Sequence, residues 1–389
     1  MTIERLQLRR AAWLEIDLEA LRSNVEVIRG LAGDRVAVAP VVKADAYGHG
    51  LAAVGPALAG VSDALCVATL DEALTLRASD VGGRIMILYP VPADGVGDAV
   101  QAGLELTIMS SEDLRSVRAR SMPGAAPALV HLAVETGMSR GGLALDAVAA
   151  IAAEIQADPD AELRGIWSHL ASAADAGRSA AQVERFERAV ASLRRRHEPV
   201  PPRHLAATDG IFAGTAPMLE MVRPGLAVYG VLEASLPLAG HARDAALALA
   251  PAMTLKANAA AFSDVPIGAV VGYGGHWQAT RPSRVAILPL GYGDGYARAM
   301  EPGAEVLLRG RRVPLVGAIS MDALAIDVTD LADVGYEEEF VLLGTQGEQS
   351  ISTGELARWR NTITWETLSS MAPRLGRVYN RSAGGAPSG

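Results

Sequence analysis

The sequence predicts an α/β architecture: a (β/α)8 TIM-type barrel over residues 1–242, a mainly β C-terminal domain over 243–381, and a flexible tail at 382–389. Three observations predict it. Eight short apolar runs alternate with amphipathic stretches between residues 36 and 230. Polar, chemistry-bearing side chains recur at the ends of those runs, which is where barrels place their sites. After about residue 242 helical periodicity fades, and β-like runs separated by Gly, Pro and Asp take over.

The strand candidates, in order, are VAVAPVVK (36–43), ALCVAT (64–69), RIMILYP (84–90), LELTIMS (104–110), ALVHLAVE (128–135), LRGIWSHL (163–170), RHLAAT (203–208) and MVRPGLAVYG (221–230). Each is short and apolar enough for a strand buried on both faces of an α/β fold. The intervening segments carry helix signals. Thr69 and Glu72 have the spacing of a capping box, SSEDLRSVRAR opens with an N-cap residue, and QVERFERAVASLRRR ends in cations that suit a helix C-terminus. Eight such units over about 200 residues favour a closed barrel over a doubly wound sheet. Beyond 242, the runs AMTLKANAAAF, RVAILPLGYG, AEVLLRGRRVPLVGAI, LAIDVTD and EFVLLG read as strands, with one helical segment near 352–370.

Composition narrows the function classes. A net charge of −9 and the absence of basic runs argue against nucleic acid and anionic membranes as partners. One cysteine, Cys66, rules out an intramolecular disulfide and fits a reducing compartment. No apolar stretch has the character of a membrane span or a signal peptide, and no cluster has metal-ligand spacing. The expectation is a soluble cytoplasmic protein without a metal site.

Of the 35 Lys and Arg residues, only two are lysines, Lys43 and Lys256. A lysine that survives such a bias is a candidate for work that needs a primary amine, such as forming a Schiff base with a carbonyl. Lys43 ends the first predicted strand and starts a Gly-rich turn. Lys256, in PAMTLKANAA, reads as a strand residue whose stem covers apolar surface. Glu135 and Arg140 follow the fifth predicted strand, His169 ends the sixth, Thr208 ends the seventh and Arg223 lies in the eighth. Together they suggest one site.

VVKADAYGHG (41–50) closely resembles the cofactor-lysine segment of the alanine racemase family, pyridoxal-phosphate enzymes with a barrel and a β-rich C-terminal domain. Further blocks in the same order carry the resemblance along nearly the whole chain: AAWLEIDLEALRSNV (11–25), CVATLDEAL (66–74), ETGMSRGGL (135–143), SHLASAAD (168–175), VRPGLAVYG (222–230), VGYGG (271–275), LPLGYGDGYAR (288–298), SMD (320–322) and APRLGRVYN (372–380). The resemblance implies pyridoxal 5'-phosphate as cofactor, a small amino acid as substrate, alanine by default or serine, and a homodimer that shares its sites across the interface. By the same resemblance, Lys43 holds the cofactor and acts as one base, and Tyr273 of the partner subunit acts as the other. Arg223 donates to the ring nitrogen, with His169 beside the ring and bonded to Arg223. Thr208, Tyr47 and the Gly225–Leu226 backbone receive the phosphate. Arg140 lies near the ring oxygen and the substrate carboxylate, Met321 and Asp322 help to hold that carboxylate, and Tyr292 lines the entrance.

The chain also departs from the family pattern. A commonly carbamylated lysine is Ala133 here, and the following Asp is Glu135, which leaves Glu135 or a bound anion to position Arg140. Ala207, Ala318 and Ala323 replace Asn, Arg and Gln, and an entrance tyrosine is Trp365. These changes fall on substrate-facing positions, whereas Lys43, Tyr273, Arg223 and His169 are retained. Two alternatives share the fold: a D-amino-acid aldolase-like enzyme and a catalytically impaired pyridoxal-phosphate-binding protein.

Overall fold

Hydrogen bonding between distant strands, rather than local composition, divides this chain. The computed structural model describes residues 10–120, 126–196, 199–300 and 303–380. Two units result: Ala20–Ala46 with Leu51–Ala250, and, among the described residues, 10–19, 47–50 and 251–380. The predicted tail at 382–389 lies outside the described residues.

The first strand, β1 (Ala12–Asp17), belongs to the second unit, although the sequence reading placed it with the barrel. It pairs antiparallel with β10 (Met253–Ala257) and parallel with Gly376–Asn380. The dividing point falls at residues 250/251 rather than 242/243. Local pattern shows that 12–17 is extended, but a strand's partners lie far away in sequence. This unit holds a ten-stranded sheet and a separate two-stranded ribbon. The helical segment expected near 352–370 is two short helices, Thr353–Trp359 and Thr364–Ser369. Lys256 on β10 pairs with Glu15 at 2.9 Å and Glu339 at 3.3 Å, so it is an ion-paired strand lysine.

The barrel unit contains all eight predicted strands: β2 (Ala37–Val38), β3 (Leu65–Val67), β4 (Ile85–Ile87), β5 (Glu105–Ile108), β6 (Ala128–Ala133), β7 (Ala161–Trp167), β8 (Arg203–Ala207) and β9 (Met221–Arg223). They pair in parallel in sequence order from β3 to β9, and β9 pairs with β2. A parallel bridge between Val41 and Cys66 then joins the continuation of β2 to β3, which closes the ring. Buried Val38, Leu65, Met86, Leu106, Val130, Ile166 and Val222 supply the apolar strand positions. Helix Leu70–Ala78 starts on the predicted capping box, with Thr69 and Glu72 satisfying each other's backbone N–H groups. Asp175 caps the longest helix, Ala176–Arg195. No helix among the described residues is long and apolar enough to cross a membrane.

Candidate active site

The backbone turns left-handed immediately after Lys43. Ala44, Asp45, Ala46 and Tyr47 have φ of 53°, 54°, 52° and 51°, and Gly48 and Gly50 continue at 78° and 98°. Each non-glycine residue in this conformation costs about 1–2 kcal/mol, so the surroundings must hold the turn. Glu72 does part of this work: besides capping its own helix, its Oε1 accepts the Ala44 N–H at 2.6 Å. The Ala46 N–H reaches the Val42 carbonyl at 2.9 Å, and the Leu51 N–H reaches Asp45 Oδ1 at 2.7 Å. The sequence showed Glu72 only as a cap; its reach to the residue after Lys43 requires the parallel neighbour β3 to bring it there.

Lys43, Arg140, His169 and Arg223 gather at the C-terminal rim of the barrel, close enough to feel one another's charge. Burial, then the Arg140 cation, lowers the Lys43 ammonium below its ordinary range. Desolvation, followed by the charges of Arg223, Arg140 and Lys43, pushes His169 down to about 3, so it is neutral at physiological pH. Burial pushes Arg223 down to about 10. That guanidinium is only 2 % exposed, donates to the Ser168 carbonyl at 2.7 Å and lies 4.7 Å from the centroid of the Trp167 ring. Its imidazole partner is not the expected His169 but His204 of β8, whose Nδ1 accepts from Arg223 Nη1. His204 shares strand parity with Thr208, and period-two reasoning could have placed it on the same face. Trp167, stacked on His204 at 6.1 Å, was also missed.

Thr208 Oγ1 accepts the N–H of Gly225 at 3.0 Å and of Ala227 at 3.2 Å, tying the turn after β8 to the turn after β9. Leu226 opens the short 3-10 turn Leu226–Tyr229 at this spot. The Glu135 carboxylate is occupied by its own loop: it accepts the Met138 N–H at 2.8 Å and also bonds the Gly137 N–H. Although burial opposes ionisation, backbone N–H groups from residues 137–140 hold Glu135 below its usual range. Glu135 therefore braces the Arg140 loop rather than binding its guanidinium, which sits 5.8 Å from the Tyr89 ring centroid. Beside Ala133, a cavity of about 20 Å³ is lined by Glu135, Arg140, Trp167, Ser168 and His169.

Tyr47, Tyr273, Tyr292, Met321 and Asp322 lie in the second unit. Tyr273 is 69 % exposed and opens a short 3-10 turn, Tyr273–Gly275. Gly272 precedes it at φ 75°, where a side chain would press within 3.2 Å of the Ala318 amide. Tyr292 and Met321 sit on adjoining loops, joined by Tyr292 N–H to the Ser320 carbonyl at 3.1 Å and Gly293 N–H to the Met321 carbonyl at 2.9 Å. The buried Asp294 carboxylate anchors both loops, because it pairs with Arg10 and with Arg374, and Arg374 also bonds Asp322 at 2.8 Å.

The donor set suits pyridoxal phosphate. It offers a depressed amine for an aldehyde, a donor-only guanidinium for a ring nitrogen, and in Thr208 a hydroxyl that accepts two backbone N–H groups and can donate its own hydrogen to a phosphate.

Known proteins resemble this chain over almost its full length. The alanine racemase N-terminal domain family matches residues 16–233, and the alanine racemase C-terminal domain family matches 252–379. Alanine racemase of Desulfosudis oleivorans is 34 % identical, over 95 % of this chain and 96 % of that protein. That of Sorangium cellulosum is 36 % identical, over 94 % and 98 %. The crystal structure of biosynthetic alanine racemase from Pseudomonas aeruginosa superposes with a TM-score of 0.82 at 33 % identity, covering 96 % of this chain and 100 % of that one. The chain belongs to the alanine racemase family and is an isomerase of the amino-acid racemase class.

Proposed function

We propose that this protein is a pyridoxal-phosphate-dependent alanine racemase that works as a homodimer, with Lys43 and the partner's copy of Tyr273 as opposed bases. The carrying observation is the Lys43 amine, depressed by burial and by Arg140, on the same rim as the buried Arg223 guanidinium. A depressed lysine is neutral, and therefore nucleophilic and basic, at lower pH than an ordinary one. Bound pyridoxal phosphate supplies a conjugated ring that spreads the electron pair left when substrate Cα loses its proton. Lys43 holds the cofactor aldehyde at rest and moves a proton on one face of Cα. Tyr273 moves a proton on the opposite face, since inversion requires removal from one side and delivery to the other. Arg223 donates to the ring nitrogen and cannot lose its own proton to it, so the ring remains a weak electron sink and reprotonation is favoured. Thr208, its oxygen already accepting two N–H groups, keeps its own hydrogen for a phosphate oxygen, alongside Leu226 and Tyr47. Arg140, Met321 and Asp322 orient the substrate carboxylate, and Tyr292 narrows the entrance.

A second small substrate, serine, is favoured by the small side chains at Ala133, Ala207, Ala318 and Ala323 and by the indole at Trp365. Incubating the purified protein and cofactor with a panel of L-amino acids, then resolving enantiomers, tests both readings. D-alanine as the fastest product supports the first and D-serine the second. No D-product from any amino acid overturns both.

A further inference from the structure

A line of polar side chains runs from partly exposed Arg84 through the buried Glu105, His131 and His204 of the barrel interior to Arg223. Arg84 binds Glu105 on β5 through two bonds, at 2.7 and 3.1 Å. Glu105 Oε2 lies 2.8 Å from His131 Nε2 on β6, and His131 Nδ1 lies 3.1 Å from His204 Nε2 on β8. His204 Nδ1 then meets Arg223 Nη1. Glu105, His131, His204 and Arg223 are each at most 2 % exposed.

Strand β7 lies between β6 and β8, yet the line passes it. A register shift between Val130 and His131 sets Gly165 opposite His131. A Cβ at Gly165 would collide with His131 Nδ1 and approach His204 Nε2 to 3.1 Å. Glycine is used here for the space it leaves, not for its backbone freedom.

We propose that Glu105, His131 and His204 form a one-directional hydrogen-bond relay that positions Arg223, and that Gly165 is the gap through which it crosses the barrel. Arg223 can only donate, so His204 Nδ1 is an acceptor and its Nε2 carries the hydrogen. His131 Nδ1 is then an acceptor, and its Nε2–H points at the Glu105 carboxylate. Starting from Glu105 gives the same answer, because an ionised carboxylate only accepts. Both ends thus impose one tautomer on each imidazole. The electrostatics agree: burial keeps both histidines neutral, and although burial opposes its charge, bonds from His131 and Arg84 hold Glu105 at about 2. With Nη1 fixed on His204 and Nη2 on Ser168, the guanidinium is held in one orientation. The consequence for catalysis rests on the reading that Arg223 faces the cofactor ring; the relay itself does not. Its members are positioning residues.

The test is long-range 1H–15N correlation of histidine-labelled protein at neutral pH, with and without pyridoxal phosphate, beside the variants Gly165→Ala and Glu105→Gln. His131 and His204 are expected as neutral Nε2–H tautomers in both preparations. Each variant should mix the tautomers, shift the pH dependence of the bound cofactor's absorbance and lower kcat about tenfold with KM little changed. An Nδ1–H tautomer or an imidazolium at either histidine of the unmutated protein overturns the relay, even if both variants misfold. So do folded variants with unaltered tautomers, absorbance and kcat. A relay with the expected tautomers in a protein that forms no D-alanine would instead overturn the proposed function alone.

Discussion

Thr208 Oγ1 accepts the amide hydrogens of Gly225 and Ala227, at 3.0 and 3.2 Å, and so locks the turns after β8 and β9 together. Replacement by valine keeps the shape but leaves two buried N–H groups without an acceptor, at a cost of about 1–3 kcal/mol each. Thr208→Val is expected to lower thermal stability and to weaken pyridoxal-phosphate affinity about tenfold or more. Thr208→Ser should restore most of both. Thermal melts and cofactor titration by fluorescence check this.

Glu72 joins the helix after β3 to the left-handed turn after Lys43. Glu72→Ala should loosen that turn, lowering stability by about 1 kcal/mol through the lost cap and slowing capture of the cofactor aldehyde. Glu72→Gln, which keeps the acceptor oxygen, should show the smaller effect. Denaturant melts and the growth of visible cofactor absorbance distinguish them.

The Arg140 charge is one reason that the Lys43 ammonium is depressed. Removing that charge in Arg140→Ala should raise the Lys43 pKa and move the pH–rate profile of cofactor capture to higher pH. A profile that stays in place or moves to lower pH contradicts the assigned electrostatics.

His169 titrates near 3 in the fold and near 6.5 when unfolded, and burial lowers His131 and His204 as well. Between these values the unfolded chain binds protons that the native state does not, so stability falls as pH drops below about 6.5. Each such histidine contributes a slope of about 1.4 kcal/mol per pH unit within its window. Glu105 holds its stabilising ionisation down to about 2, so it adds loss only below the ordinary carboxylate range. Denaturant midpoints measured from pH 7 to 4 should fall steeply, and His169→Asn should flatten the slope by one proton.

Gly50 has φ 98°, and a side chain there would overlap the Tyr379 hydroxyl; at Gly48, φ 78°, it would overlap the Leu368 carbonyl. Gly50→Ala is expected to destabilise by about 2 kcal/mol or more, measurable as a lowered midpoint in urea.

Local pattern made the barrel strands legible, because each is a short apolar run between helix signals. Lys43 stands out for a related reason, as it ends a predicted strand in a chain with only two lysines, whereas Arg223 lies inside the eighth predicted run and is singled out by the family resemblance. The placement of β1 was not legible, since its partners lie some 240 and 360 residues away. Nor was the role of His204, because which imidazole meets Arg223 depends on strand neighbours and on the space left by Gly165. The occupation of Glu135 by its own loop was hidden as well, since it follows from the positive-φ turn at Gly137 and Ser139. Residues whose function is fixed by their own chemistry can be read in one dimension; residues whose function is fixed by a neighbour cannot.

The most direct measurement is the reaction of L-alanine in deuterated water with the protein carrying pyridoxal phosphate, followed by chiral separation and mass spectrometry, beside Lys43→Ala and Tyr273→Phe. Two opposed bases predict D-alanine bearing deuterium at Cα, approaching equal amounts of the two enantiomers, and loss of racemisation in both variants. Cofactor-loaded protein that forms no D-alanine, or a Tyr273→Phe variant that racemises at the unmutated rate, contradicts the account.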